Sequence, residues 1–389
     1  MKKTIDTERI PVKMWLDDIE PGALKQVKNV ANLPFAFHHV AVMPDAHQGY
    51  GMPIGGVLAT HNTVIPNAVG VDIGCGMCAM RTSITDRGDL DLKRITTLIR
   101  EEIPLGFKHH SKPQPEDLMP VGYDMERMPV VRREYGSALR QLGTLGGGNH
   151  FIEIQHGSDG HVWVMIHSGS RNLGKQVADH YNRLAKKLNA QWSRVVDPKA
   201  DLAWLPADRE EAVRYMEEMN YCIDFALANR KQMMQVVREI IEQVADGGVT
   251  FDPLINIAHN YAALEHHYGV EVIVHRKGAT SAREGEQGII PGSQGSASYI
   301  VEGRGNPESF MSCSHGAGRK MGRKQAQREL TFHNEVARLN AQGILHGIRS
   351  HRDLDEAAGA YKDISVVMEN QTDLVNIVTE LKPLAVVKG

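Results

Sequence analysis

Cysteine is scarce in this sequence, and long apolar runs are missing. Four cysteines in 389 residues (Cys75, Cys78, Cys222 and Cys313) are too few for a disulfide scaffold and suit a reducing compartment. No uninterrupted apolar stretch approaches the roughly 20 residues needed to cross a bilayer, so no membrane partner is expected. Met1-Lys2-Lys3 opens like a signal peptide, but Thr4-Ile5-Asp6-Thr7-Glu8 follows in place of an apolar segment. Secretion is therefore not expected, and a cytoplasmic location is. Positive charge is not in excess either. A net charge of −3 excludes a bulk electrostatic nucleic-acid binder. A local basic groove stays open, because phosphate contacts sum locally. Arg319-Lys320 with Arg323-Lys324, and His109-His110 with Lys112, are the clusters available, although each alone reads as a solvated face. Internal repeats, low-complexity tracts and obvious linkers are also lacking.

What is present is a soluble, globular balance of 42% hydrophobic and 23% charged residues, long enough for a sizeable core. Periodicity predicts strands over 35–43 and 54–59, then over 68–81 with glycine interruptions. A helix follows over 90–103, and a mobile surface loop rich in Pro, His and charge over 106–124. Strands resume at 150–155 and 162–167. Residues 173–244 read as mostly helical, with a break at 197–206. Short strands are expected at 270–276, 288–290 and 298–301, helices over much of 316–340 and 363–380, and a terminal strand at 384–387. Strands and helices neither alternate regularly nor segregate. The expected fold class is α+β: one compact domain over residues 1–389, with a mixed sheet core, flanking helices and a helical insertion over 173–246.

Glycine-bracketed polar clusters recur: PDAHQGYG at 44–51, VGVDIGCGMC at 69–78, GTLGGGNHFIE at 143–153, HSGSRNLGK at 167–175, PGSQGSAS at 291–298 and SCSHGAGR at 312–319. Glycines admit close backbone approach, and successive N–H groups form anion-binding concavities. Several such turns, each carrying an ionisable residue, point to one shared site. Gly169–Lys175 has the spacing of a phosphate-binding P-loop, but Gln176 stands where Ser or Thr would hold Mg²⁺. Cys75-Gly76-Met77-Cys78 lacks both a thioredoxin-like setting and a second pair to complete a zinc knuckle.

A metal site accounts for more. Asp72 and Cys75 lie three apart at a glycine-rich strand exit. His150, His167 and His259 are natural additions from the 19 histidines present. On donor chemistry alone an O, S and N set suggests zinc. His315, among small residues with Arg319 a helical turn beyond, is open to three roles: general base, ligand or nucleophile. Cys313 invites a thiol-nucleophile reading, while no nucleophile elbow supports acyl transfer. The residues by themselves therefore reach a metalloenzyme with phosphate-friendly turns.

These clusters resemble the signature of the RtcB family of RNA-splicing ligases. VGVDIGCG, LGxGNHFIE, HSGSR, RKGA, IIPGS, SCSHGAGR and AYKDI occur in family order, over nearly the full length. The resemblance implies GTP- and Mn²⁺-dependent joining of RNA 2′,3′-cyclic phosphate or 3′-phosphate ends to 5′-hydroxyl ends, in RNA repair or tRNA splicing. It implies two manganese ions on Asp72, Cys75, His150, His167 and His259, with Cys75 bridging and zinc an adventitious occupant. It implies that His315 attacks the GTP α-phosphate, with an orienting partner at its other ring nitrogen. Guanylate binding is implied for Asn149, His150, Phe151, Ile152, Glu153, His259, Asn260, Pro291, Gly292, Ser293, Gln294 and Ser298. The implied set continues with His315, Gly316, Ala317, Gly318, Tyr361 and Lys388. One departure is visible. The family commonly carries proline shortly before AYKDI, where Glu356-Ala357-Ala358-Gly359 stands here, and a looser turn near the nucleotide is expected. The rival reading is a metal-dependent phosphodiesterase or phosphatase with no covalent nucleotide. A non-enzymatic RNA-binding module is the third, and a helper protein is left open.

Overall fold

The computed structural model describes residues 1–86, 88, 90–192, 195–245 and 247–389. It is a mixed α+β architecture built on two large sheets. One has six strands in the order Lys3–Ile5, Val12–Met14, Ala36–His47, Ile54–Thr60, Val270–Lys277 and Asn260–His267. The other has seven, in the order Ile255–Ala258, Gly76–Arg81, Val162–Ser168, Phe151–Gly157, Val375–Lys388, Ser298–Gly303 and Gln287–Ile290. Pairing is antiparallel throughout these two sheets except between Val12–Met14 and Ala36–His47, which run parallel. The chain passes directly from one sheet to the other at His259, between Ile255–Ala258 and Asn260–His267.

Most strands expected from periodicity are present and run slightly longer. The helix expected over 90–103 is Leu92–Glu102. Asp91 caps it by accepting from Arg94 N at 3.0 Å, and Ile95 and Ile99 form its buried face. Two expectations need correction. Residues 68–81 are not one interrupted strand: Pro66–Val69 is a helical turn, and only Gly76–Arg81 is extended. The helix expected over 363–380 stops at Glu369, and a 14-residue strand, Val375–Lys388, absorbs both its end and the expected terminal strand. Val375, Ile377, Val378 and Thr379 favour the pleated surface, and the backbone there pairs with Ser298–Gly303. The helices expected over much of 316–340 are Arg323–Glu329 and Phe332–Ala341. Beyond the expected elements lie the strands Lys3–Ile5, Val12–Met14, Ile255–Ala258 and Asn260–His267, and the helices Pro21–Ala31 and Pro129–Gln141.

The helical block comprises Arg171–Trp192 and Glu210–Val244. Together with Pro129–Gln141 it buries Leu139, Val177, Tyr181, Tyr215, Met219 and Phe225 in one apolar cluster. The longer helix also reaches the sheets. Arg230, fully buried, donates to Gly74 O at 3.1 Å, Ser168 O at 2.8 Å, Ile257 O at 3.1 Å and Asn256 Oδ1 at 2.7 Å. Asn229 beside it bonds both backbone groups of Thr144, the Ser168 hydroxyl and Gly169 O. These two side chains tie together the ends of several strands at the edge where the sheets meet.

Candidate metal and nucleotide site

Register explains why the candidate ligands converge. Gly76 pairs with Ser168 and with Ala258, and Phe151 pairs with His167. Cys75, His150, His167 and His259 therefore arrive at the same end of adjacent strands, with His259 N donating to Cys75 O at 2.8 Å. All four are buried. Their donor atoms form two overlapping triads, Asp72–Cys75–His150 and Cys75–His167–His259, with ligand atoms within 4.8 Å of one another in each. Cys75 is common to both. Its Sγ lies 3.6 Å from His150 Nε2 and 3.2 Å from His167 Nε2.

Ring orientation fits ligation. His150 Nδ1 donates to Leu145 O at 2.9 Å, and His167 Nδ1 donates to Asn149 O at 3.1 Å. In both, the carbonyl fixes the tautomer and leaves the Nε2 lone pair facing Cys75, the arrangement expected of second-sphere support. His259 Nδ1 is buried with no hydrogen-bond partner. Burial pushes the Cys75 thiol well up, reinforced by the Asp72 charge. Burial lowers His167 and His259, and neighbouring imidazoles add to the effect. Burial also opposes Asp72 ionisation, but His150 outweighs it and holds the carboxyl below its usual range. Burial disfavours a Cys75 thiolate unless a cation neutralises it and keeps His167 and His259 neutral, as ligands must be, so the donor set fits a metal pair. Cys78, by contrast, sits on the other side of its strand in an apolar core and contacts Arg230 O. The two cysteines are not a redox pair in this geometry.

His315 follows the short strand Ser312–Ser314 and lies against His259, ring centroids 4.9 Å apart. Its Nδ1 donates to Asp45 Oδ2 at 2.6 Å, and its backbone N donates to the same oxygen at 3.1 Å. The ring lone pair is thereby left on Nε2. Asp45 comes from Ala36–His47, where the register with Ile54–Thr60 shifts between Val42 and His47. Such an irregularity re-aims a side chain out of the ladder. Asp45 is fully buried. Burial resists its ionisation, but His315, His47 and Lys362 outweigh it and keep the carboxyl below its ordinary range. Lys362 holds the same stretch by donating to Ala46 O at 2.6 Å. Gly318 has φ of +72°, and a Cβ there would collide with the Asp45 carbonyl, so glycine is required where the His315 loop crosses Asp45. Cys313, one face away, is buried in a core, where burial raises its thiol. It faces no reaction centre.

The remaining predicted residues separate by strand face. Phe151 and Glu153 point one way, while Ile152 points into the opposite apolar core. Glu153 is buried and pushed up to about 8 by burial, partly offset by Lys388. Lys388 Nζ stands 5.7 Å from the Phe151 ring centroid, and burial lowers its own ionisation against Glu356 and Glu153. Ser298 Oγ accepts from Gly292 N at 3.1 Å and Gln155 Nε2 at 3.3 Å. Ser293 is braced by Ser296. Gln294 donates to Glu356 O at 2.8 Å and leaves its buried Oε1 without a partner. Gln294, Glu356, Lys388 and Gly389 line a cavity of about 460 Å³, with Arg100 and Arg349 at its edge. Gly316 packs near Pro291, and Ala317 is buried in the core beneath. Asn260 is taken up locally, bonding Asp72 O at 3.0 Å and Gly278 N at 2.7 Å.

Tyr361 donates its hydroxyl to Glu356, which also pairs with Arg319 at 3.0 Å and Arg323 at 2.8 Å. Arg319, largely buried, and Arg323, half-exposed, therefore brace the pocket wall through Glu356. Before Tyr361, Ala358–Ala360 forms a 3₁₀ turn, with Gly359 N donating to Glu335 at 3.2 Å. Sequence reasoning missed Asp45, Lys362, Arg230 and Glu356. For Asp45 the polar, glycine-rich run at 44–51 was the available signal.

A thiol and imidazoles at the meeting edge of two sheets, beside a carboxylate-oriented histidine and a polar cavity, mark the centre of an enzyme. Comparison with known proteins narrows the class. Residues 26–389 match the family described as tRNA-splicing ligase RtcB. The chain is 38% identical to the RNA-splicing ligase RtcB of Escherichia coli K12 over 410 residues, covering 99% of both chains. It is 33% identical to the tRNA-splicing ligase RtcB of Thermococcus kodakarensis, covering 98% of this chain and 95% of that one. A third relative, the tRNA-splicing ligase RtcB of Nanoarchaeum equitans, is 32% identical with the same coverage. The chain belongs to the RtcB family, and it is an RNA ligase. Among the described residues, no helix is long and apolar enough to cross a membrane.

Proposed function

We propose that this ligase joins RNA 3′-phosphate or 2′,3′-cyclic phosphate ends to 5′-hydroxyl ends through a covalent His315–GMP intermediate, using GTP and manganese. The observation that carries this reading is the Asp45–His315 hydrogen bond of 2.6 Å. It keeps the ring proton on Nδ1 and presents Nε2 as a nucleophile. His315 Nε2 attacks the GTP α-phosphorus, an N–P bond forms, and the bond to the bridging oxygen breaks to release pyrophosphate. As the ring gains positive charge, Asp45 stabilises it without taking the proton. An oxygen of the RNA 3′-phosphate then attacks the same phosphorus and frees His315. Finally the 5′-hydroxyl attacks the RNA phosphorus, forming the phosphodiester and expelling GMP. A cyclic phosphate is first opened by water, which attacks phosphorus and breaks its bond to the 2′-oxygen, leaving a 3′-phosphate.

Asp72, Cys75, His150, His167 and His259 are the residues suited to hold two cations, which when bound would neutralise phosphate charge and align the displacements. Glu153, which burial keeps protonated up to about pH 8, and Lys388, close to the Phe151 ring, suit a base offering both donors and acceptors, such as guanine. Incubation with Mn²⁺ and α-labelled GTP tests the reading. An acid-labile, alkali-stable protein adduct that disappears in His315→Ala is expected. RNA-end hydrolysis without any adduct would instead favour a phosphodiesterase or phosphatase.

A further inference from the structure

Phe107 is the most exposed large apolar side chain among the described residues, at 102% relative exposure. Its segment is nonetheless firmly held. Gly106 N donates to Gly146 O at 3.0 Å, Arg171 donates to Gly106 O at 3.3 Å, and His110 N donates to Arg140 O at 3.0 Å. Gly146 adjoins the candidate ligand His150, and Gly106 lies beside the terminal Gly389 at the cavity described above. A hydrogen-bonded arm therefore presents one bare aromatic ring next to Gly106, close to the site. No acidic residue occurs between Phe107 and Lys112. Lys108 and Lys112 form no ion pair among the described residues. A protein partner would call for a contiguous apolar patch. A single ring among unpaired cations fits an unpaired nucleobase and its flanking phosphates.

We propose that Phe107 is a stacking platform for an unpaired base near the RNA end, with Lys108 and Lys112 meeting the neighbouring phosphates. The proposal rests on the RNA-ligase assignment. It is tested by fluorescence anisotropy with a fluorescein-labelled single-stranded RNA ending in a 3′-phosphate. Phe107→Ala is expected to weaken binding roughly 5- to 100-fold, the usual effect of losing one base–aromatic stack. Phe107→Trp is expected to restore affinity, with its added emission quenched by RNA. RNA carrying abasic sites near the end should bind wild type and Phe107→Ala alike. Phe107 packs against nothing, so the melting temperature should hold in both variants. Binding by Phe107→Ala within twofold of wild type would overturn the proposal. Adduct formation by the wild-type protein, measured separately without RNA, reports on the His315–GMP reading and so distinguishes the two failures.

Discussion

Replacing Asp45 with asparagine removes one charge from a fully buried position and changes little in volume. Oδ2 of Asp45 accepts two hydrogen bonds, from the His315 ring at 2.6 Å and its backbone at 3.1 Å, while Oδ1 has no partner. An asparagine that keeps its oxygen toward His315 places its NH₂ where nothing accepts. One that flips donates to Nδ1 and moves the ring proton to Nε2, which blocks attack on phosphorus. A charge-assisted hydrogen bond is worth about 1.5–3 kcal/mol. A unit charge about 4 Å from the developing imidazolium adds up to roughly 4 kcal/mol at an effective dielectric near 20. These overlapping contributions place the loss near 3–5 kcal/mol, or about 10²–10⁴-fold in the rate of His315–GMP formation. The assay is single-turnover labelling with α-labelled GTP at saturating Mn²⁺, alongside thermal denaturation. An Asp45→Asn protein that melts like wild type and guanylylates within threefold of its rate would refute this role for Asp45.

Further outcomes follow from other parts of the site. Cys75→Ala, which removes the sulfur common to both triads, should weaken Mn²⁺ binding by at least about 10- to 100-fold in calorimetry, and unchanged stoichiometry and affinity would argue against a shared ligand. Arg230→Met leaves four buried acceptors without a donor and should cost about 3–5 kcal/mol of stability, seen as a lowered denaturant midpoint. Glu153, held near 8 when folded, binds its proton more tightly folded than unfolded. Its contribution to stability therefore falls as pH rises from about 4.5 to 8. Glu153→Gln should accordingly be more stable than wild type by a few kcal/mol above pH 8, with the gap closing near pH 5, while discriminating GTP from ATP less well. A melting-temperature difference independent of pH would contradict that assignment.

The candidate strand-end ligands were legible because local pattern places them: Asp72 and Cys75 share one turn, and His150 and His167 flank recognisable strands. Arrangement in space was less accessible. Asp45 meets His315 across 270 residues of sequence, and a register shift in its strand, not a residue type, turns it toward the ring. Arg230 looks like any charge on a long amphipathic helix, and only the packing of that helix on the sheets makes it a four-acceptor clamp. Val375–Lys388 was hidden by the short helix Ile364–Glu369 before it, although its β-branched run favoured a strand. Within a strand, alternate side chains face opposite ways, so the Ile152 side chain enters a different core from that of Phe151. The α+β class itself could be read from the irregular order of elements.

Digestion of the protein after reaction with GTP and Mn²⁺, followed by mass spectrometry under alkaline conditions, locates the nucleotide. GMP is expected on the peptide containing Ser314-His315-Gly316, lost when RNA 3′-phosphate ends are added and absent in His315→Ala. GMP on any other residue, or joined RNA with no protein adduct at any time, would contradict the His315–GMP intermediate.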